Sequence, residues 1–407
     1  MRRFSLQPAA LPVFLRIPAL FLREKNSMRQ VRLFRPSVGE EELENIRDVF
    51  ERAWLGLGPK LAAFEEEWSR YIGAPASIGV NSGTAALHLA LAAFGFAPGA
   101  KVLVPALTFV ASATAALYNR LEPVFVDVDP HTLSMDLADL ERKITPDCVA
   151  VVAVHFGGYP VAMDQLMALA AAHKLKVVED CAHAVGGSYQ GRKLGTWGDI
   201  GCFSFEEKKG MTTGDGGMIS SHDAELIAPL KVQRWVGIDK DTWQRAGTYT
   251  GDNDARHWYY EVAVLGYKYN MNDLSAAIGL AQLRKLDRFN ARRTALVARY
   301  LEALAGIGHL EPLLPYRTDG LDAYWLMGIR SGQRDALIRH LKRNGVATGV
   351  HYMPLTLHPL FAAHAGSAPV AERIWHSFLT LPLHVDLSDD DVDYVAAMLA
   401  RFEPAVG

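Results

Sequence analysis

Between Ala76 and Ser220 the chain alternates short apolar runs with helical stretches, and no other feature restricts its fold so tightly. Ala76–Val80, Val102–Val104, Pro123–Val128, Val149–Val154 and Lys176–Val178 read as strands. Helices are expected from Ser82 onward, near Val110–Tyr118, near Asp136–Lys143 and near Met163–His173. Such β-α units with short connections predict a mostly parallel sheet covered by helices. Ligands of these sheets lie beyond the carboxyl ends of the strands. Thr108, Phe109, His155, Asp180 and Lys209 all fall at strand ends or in the turns that follow, so one site can collect them.

The flanks read differently. Residues 37–53, with Leu43, Ile46, Val49 and Phe50, predict a capped amphipathic helix, and a second helix lies around Leu61–Tyr71. A helix over Ala224–Trp235 leads into a polar, aromatic region, residues 237–260, which reads as a surface loop or a substrate lid. A long helix runs from Leu274 to about Leu304. Beyond it a strand is expected at Tyr324–Ile329, helices at Arg334–Asn344 and near Asp389–Phe402, and a loop at Gly349–Pro354. The expected division is a large domain over 28–275, a linking helix over 276–304 and a smaller α+β domain over 305–407. Half of the 407 residues are apolar, enough for two sizeable cores.

Residues 1–27 begin Met1-Arg2-Arg3 and continue as an apolar stretch interrupted by Pro8, Pro12, Arg16 and Pro18. The stretch superficially resembles a signal peptide but has no small-residue cleavage site, and it is too broken to span a bilayer. It reads as a dispensable or mis-started extension, with a targeting segment as the alternative. The formal net charge is −3 and no basic stripe occurs, so neither nucleic acid nor an anionic membrane is expected as a partner. Cys148, Cys181 and Cys202 form no CxxC pair and no metal-ligand spacing. They predict reduced thiols in a cytoplasmic protein without a metal.

Three stretches carry candidate chemistry. Phe203 to Gly217 reads as strand, turn and strand, with Lys208 and Lys209 in the turn. A strand fixes the root of such a lysine while its amine enters a cleft, and lysine amines form Schiff bases with carbonyls, pyridoxal phosphate included. A hairpin with two solvated lysines fits the same letters. Asp180-Cys181-Ala182-His183 places a carboxylate at the end of a buried strand, where it needs a partner. A protonated pyridine nitrogen is one such partner; an ordinary helix cap beside a packed histidine is the alternative. Ser82-Gly83-Thr84 opens a helix whose free N–H groups suit an anion, or merely an N-cap.

With these residues taken together, the chain resembles the DegT/DnrJ/EryC1/StrS family of nucleotide-sugar aminotransferases. The motifs run in the family's order: Asn81 to Leu87, Pro105 to Phe109, Phe125 to Asp129, Glu179 to Ala184, Gly195 to Asp199, Phe203 to Gly217, Gly266 to Asp273, and His351-Tyr352. The resemblance implies a fold-type I architecture, with a mostly parallel seven-stranded sheet between helices and a smaller α+β C-terminal domain. It implies pyridoxal 5′-phosphate as cofactor. It assigns Lys209 as the Schiff-base lysine, Asp180 as partner of the ring nitrogen, and His183 as neighbour of the phenolic oxygen. Ser204, Gly83 and Thr84 match the phosphate contacts, and Phe109 matches the aromatic stacked on the ring. Lys268 stands where relatives place an asparagine that reaches the neighbouring subunit's cofactor phosphate. Asp215 replaces a frequent glutamate, with no role assigned. His351 and Tyr352 are expected at the substrate.

A lysine at position 209, where dehydrating relatives carry histidine, points to amine transfer. The expected reaction moves an amino group from glutamate to a keto-sugar on a nucleotide diphosphate, most simply a 4-keto-6-deoxy sugar, in a homodimer with shared sites. Amination of a non-nucleotide ketone such as a keto-cyclitol is the alternative. A relative that only binds the cofactor is a third reading, which intact Lys209, Asp180 and Ser204 oppose.

Overall fold

The strand Cys148–Val154 reads Cys-Val-Ala-Val-Val-Ala-Val, with no polar alternation, as a strand covered on both faces must be. The computed structural model of the chain describes residues 29–239, 258–313 and 323–404. In it this strand, β4, lies inside a seven-stranded sheet, between β5 and β2. The others are β1 (Ala76–Val80), β2 (Lys101–Pro105), β3 (Glu122–Val126), β5 (Lys176–Asp180), β8 (Ile200–Ser204) and β9 (Gly217–Ser221). A two-residue pair, β6 (Ser188–Tyr189) and β7 (Arg192–Lys193), stands apart. The order across the sheet is β1-β9-β8-β5-β4-β2-β3. Only β9 runs antiparallel to its neighbours, so the expected mostly parallel sheet is present. The Lys209 turn therefore joins an antiparallel pair at the end of the sheet where the parallel strands finish.

Seven helices precede residue 240 among the described residues: α1 (Glu40–Glu51), α2 (Pro59–Ile72), α3 (Gly83–Ala92), α4 (Ala111–Tyr118), α5 (Leu137–Lys143), α6 (Met163–His173) and α7 (Ala224–Gln233). One face of the sheet packs on α3, α4 and α7, through Leu87, Leu89, Ala113, Ile227 and Leu230. The other packs on α2, α6 and the long helix Asp273–Leu304, through Phe64, Trp68, Leu166 and Leu280. Helix α3 is buried nearly all round, as its composition predicts. A third core gathers Leu296, Val297 and Tyr300 of the long helix with the antiparallel strands β10 (Leu310–Leu313), β11 (Met327–Ser331) and β12 (Phe378–Leu381). Residues 29–37 are tied to that part of the chain. Val31 donates to the Gly345 carbonyl at 2.8 Å, and Leu383 donates to the Leu33 carbonyl at 3.1 Å.

Two expectations shift. The strand expected at Tyr324–Ile329 starts at Met327, because Trp325 turns away and donates its N–H to the Gly157 carbonyl at 2.9 Å. The first helix is capped at Gly39, whose N–H goes to the Glu42 carboxylate at 2.7 Å, while the Ser37 hydroxyl donates to Asp386. Glu42 is held inward by Lys285 and Gln282. Leu43 and Phe50, expected on its packed face, are exposed. Most of the polar region at 237–260 and all of residues 1–27 lie outside the described residues. Among the described residues no helix is long and apolar enough to cross a membrane.

Candidate active site

The strand ends β1, β2, β5 and β8 surround a cavity of about 360 Å³. Gly83, Thr84, Phe109, Asp180, His183, Ser204, Lys209, His351 and Tyr352 all line it, so nine residues singled out in the sequence meet in one place. Gly83 is required by space: a Cβ there would stand 2.8 Å from the Ser204 Cβ. The α3 amino end and the Ser204 hydroxyl thus press together. Ser82 caps the helix by accepting from Ala85 N–H at 3.1 Å, which leaves the Gly83 and Thr84 N–H groups without intrahelical partners. This is a cradle for an anion.

Asp180 ends β5 and is buried. The Ser112 hydroxyl donates to it at 2.8 Å and Ala182 N–H at 3.1 Å. Thr108 lies 2.9 Å from Ser112 and extends that chain. Among the described residues no cation pairs with the carboxylate at salt-bridge distance. Burial pushes its pKa above the ordinary range, against the pull of Ser112, Ala182 N–H and Lys209. The residue before it, Glu179, is an anchor. It accepts from Gly195, Trp197 and Gly198 N–H at 2.7–2.8 Å and faces His155 Nε2 at 3.1 Å. His155, expected as a possible site residue, is spent on this knot behind the cavity.

Lys209 keeps some access through the cavity, yet the surrounding protein pushes its amine down to about 8 by burial; Glu206 and Asp180 oppose this, and Lys208 adds to it. No hydrogen bond or ion pair reaches Nζ among the described residues; the Trp325 ring lies 4.2 Å away, measured to its centroid. His183 accepts from Gly157 N–H at Nδ1 and faces the Tyr352 hydroxyl at Nε2, 3.1 Å away. Burial, then Lys209 and His351, hold its pKa well below the ordinary value. His351 is likewise lowered to about 4 by burial, Lys209 and Lys208. Lys268 lies outside this cavity, over the Trp235 ring and beside Asn270.

Sequence reasoning missed Ser112, Trp325 and Phe34. Ser112 follows Thr108 by one helical turn, a usable signal. Trp325 and Phe34 reach the cavity from distant segments and carry no local pattern.

The parts fit pyridoxal phosphate. An anion cradle, a buried carboxylate without a cation and a buried amine without a partner face one space, with Phe109 on its wall. The family model of the DegT/DnrJ/EryC1/StrS aminotransferases matches residues 36–400. The chain belongs to this family. The DegT/DnrJ/EryC1/StrS enzymes use pyridoxal phosphate, so this chain is a pyridoxal-phosphate-dependent sugar aminotransferase. The chain is 39% identical over 372 residues to the spore coat polysaccharide biosynthesis protein SpsC of Bacillus subtilis, covering 88% of this chain and 94% of SpsC. It is 35% identical over 371 residues to the GDP-perosamine synthase of Caulobacter vibrioides, covering 89% and 96%. The sugar aminotransferase Spr1654 of Streptococcus pneumoniae, described as putative, superposes in its PMP form with a TM-score of 0.84 at 29% identity, covering 91% and 98%.

Proposed function

We propose that this enzyme transfers an amino group from glutamate to a 4-keto-6-deoxy sugar carried on a nucleoside diphosphate, in the cytoplasm, as a homodimer. The observation that carries the amine-transfer reading is the placement of the Lys209 amine and the Asp180 carboxylate on one cavity with the Gly83–Ser204 cradle. The sugar-nucleotide reading rests on the likeness to a GDP-perosamine synthase.

Bound pyridoxal phosphate supplies a carbonyl that carries the amino group and a ring that accepts the electron pair released at the reacting carbon. Lys209 would hold it covalently through its amine, and that amine, when not so engaged, would take the proton from the reacting carbon and return it. A pKa near 8 suits both tasks at neutral pH. Asp180 holds the ring nitrogen's proton, with its carboxylate aimed by Ser112 and Ala182 N–H. Ser204, Gly83 and Thr84 would hold the phosphate, and Phe109 would cover the ring. His183, neutral and held at both ring nitrogens by Gly157 N–H and the Tyr352 hydroxyl, would neighbour the phenolic oxygen. His351 and Tyr352 meet the substrate, and Lys268 extends to the neighbouring subunit's phosphate.

Keto-sugar nucleotides and keto-cyclitols, each with glutamate and with glutamine, test the reading by mass spectrometry of the product. An amine formed on the nucleotide-linked ketones with glutamate supports it; amination of keto-cyclitols alone replaces it.

A further inference from the structure

Trp325 belongs to no motif, yet five contacts converge on it, one of them the edge of the His351 ring at 5.2 Å between centroids. Its ring lies parallel to His183, 3.8 Å between centroids and 8° between planes. Phe34 stacks on it at 5.1 Å and 15°. The Lys209 Nζ is 4.2 Å from its centroid. Its indole N–H donates to the Lys208 carbonyl at 2.8 Å, so it also holds the backbone that carries Lys209. The segment is locked from behind: Trp325 N–H reaches the Gly157 carbonyl, and Gly158, at φ +94°, lies so close to Ala323 that a Cβ would meet its carbonyl oxygen at 2.1 Å. The same residue, Gly157, donates its own N–H to His183 Nδ1 at 3.4 Å. Trp325 is 4% exposed, so the indole is a wall of the cavity rather than a surface group.

We infer that Trp325 is a positioning residue of this site: its indole sets the plane of the His183 ring and shields the Lys209 amine from water. This rests on the assignment of Lys209 as the covalent lysine. The amine is faced by Glu206 and Lys208 from its own turn, by Asp180 and His183 from the end of β5, and by His351 and Tyr352 from the C-terminal part. Truncating the indole leaves those groups in place and admits water. The charged amine is then better solvated, and its pKa moves up toward the unburied value of 10.5. A phenyl ring at 325 keeps a face over the amine and a face against His183, losing only the bond to the Lys208 carbonyl.

The test uses the full chain freed of cofactor and mixed with pyridoxal phosphate over a range of pH. The absorbance that grows as the amine condenses with the aldehyde, releasing water, follows the neutral fraction of that amine. Lys209→Ala must abolish it; if it does not, the assignment of Lys209 is what fails. With that control passed, the half-rise pH in Trp325→Ala is expected at least about half a unit above wild type, and in Trp325→Phe less than that. A smaller rise or a fall in Trp325→Ala overturns the inference, as does a Trp325→Phe variant displaced as far as alanine. If the alanine variant does not fold, Trp325→Leu keeps the space filled without a ring. In histidine-labelled protein the ring-current shift of the His183 protons is then expected to persist in Trp325→Phe and to fall in Trp325→Leu to the smaller part that Tyr352 and Phe156 supply. An undiminished shift in Trp325→Leu would equally sink the proposal.

Discussion

Burial gives Lys209 and Asp180 each a property it lacks in water, and the proposed chemistry draws on both. An amine near pKa 8 is a base and an acid at the same pH. Lys209→Ala is therefore expected to lower the single-turnover rate by about 10³-fold or more, while the cradle and Asp180 still retain cofactor. His183 and His351 are disfavoured as cations, the latter down to about 4. For His351 the unfolded chain takes up a proton below 6.5 and the folded chain resists until about 4. Stability from this residue is thus complete above 6.5 and falls as pH drops, by up to about 3 kcal/mol at pH 4. Urea titrations of wild type and His351→Gln between pH 7 and 4 check this: the wild type should lose its advantage over that range. At this scale the motifs were legible, since Lys209, Asp180, Ser204 and Gly83 each stand in a local pattern. Ser112, Trp325 and Phe34 were not, because what they touch is decided by packing across segments far apart in the chain.

Elements hold these residues still by exhausting their hydrogen bonds. Strand β5 ends in Glu179-Asp180, whose side chains point to opposite faces: one carboxylate is saturated by the turn at 195–198, the other faces the cavity. Glu179→Gln replaces a carboxylate that accepts three backbone N–H groups with an amide having one acceptor oxygen. A loss of about 2–4 kcal/mol is expected in denaturant unfolding. The long helix Asp273–Leu304 steadies the lysine turn from below. Arg293, buried, donates to the Gly210 carbonyl at 2.5 Å and to Asn290 at 2.9 Å, and Asn290 donates to the Val185 carbonyl at 3.0 Å. Arg293→Ala strands the Gly210 carbonyl and should cost about 3 kcal/mol in the same assay, with weaker cofactor retention. The helix itself was readable from its length and periodicity. Its buried arginine was not, because a basic residue on a long helix ordinarily reads as solvated. The late start of β11 has the same origin: Tyr324 to Leu326 are as strand-like as their neighbours, but the cavity claims Trp325 first.

The whole molecule exposes apolar side chains that the site does not use, among them Leu43, Phe50 and Leu265, the last 84% exposed. With Lys268 directed away from its own cavity, these support two copies that complete each other's sites. Lys209→Ala and Lys268→Ala chains, mixed under subunit exchange, then form mixed dimers with one intact site each. About a quarter of wild-type activity should return if each parent is inactive; exchange without recovery would count against shared sites. The alternation of strands and helices was legible at this scale because it is written in local hydrophobicity, whereas which surface meets a partner depends on distant residues becoming coplanar. The threading of residues 29–37 sets a timetable for synthesis. Val31 pairs beside Val346, Leu33 with Leu383, and Phe34 closes the wall at Trp325. A chain begun at Met28 should keep full activity, and one begun after Ser37 should lose the wall and most of its turnover, a difference that an activity assay of the two truncations resolves. Residues 29–37, made early, thus wait for partners made late, and a nascent chain holds no finished reaction centre until most of it is made.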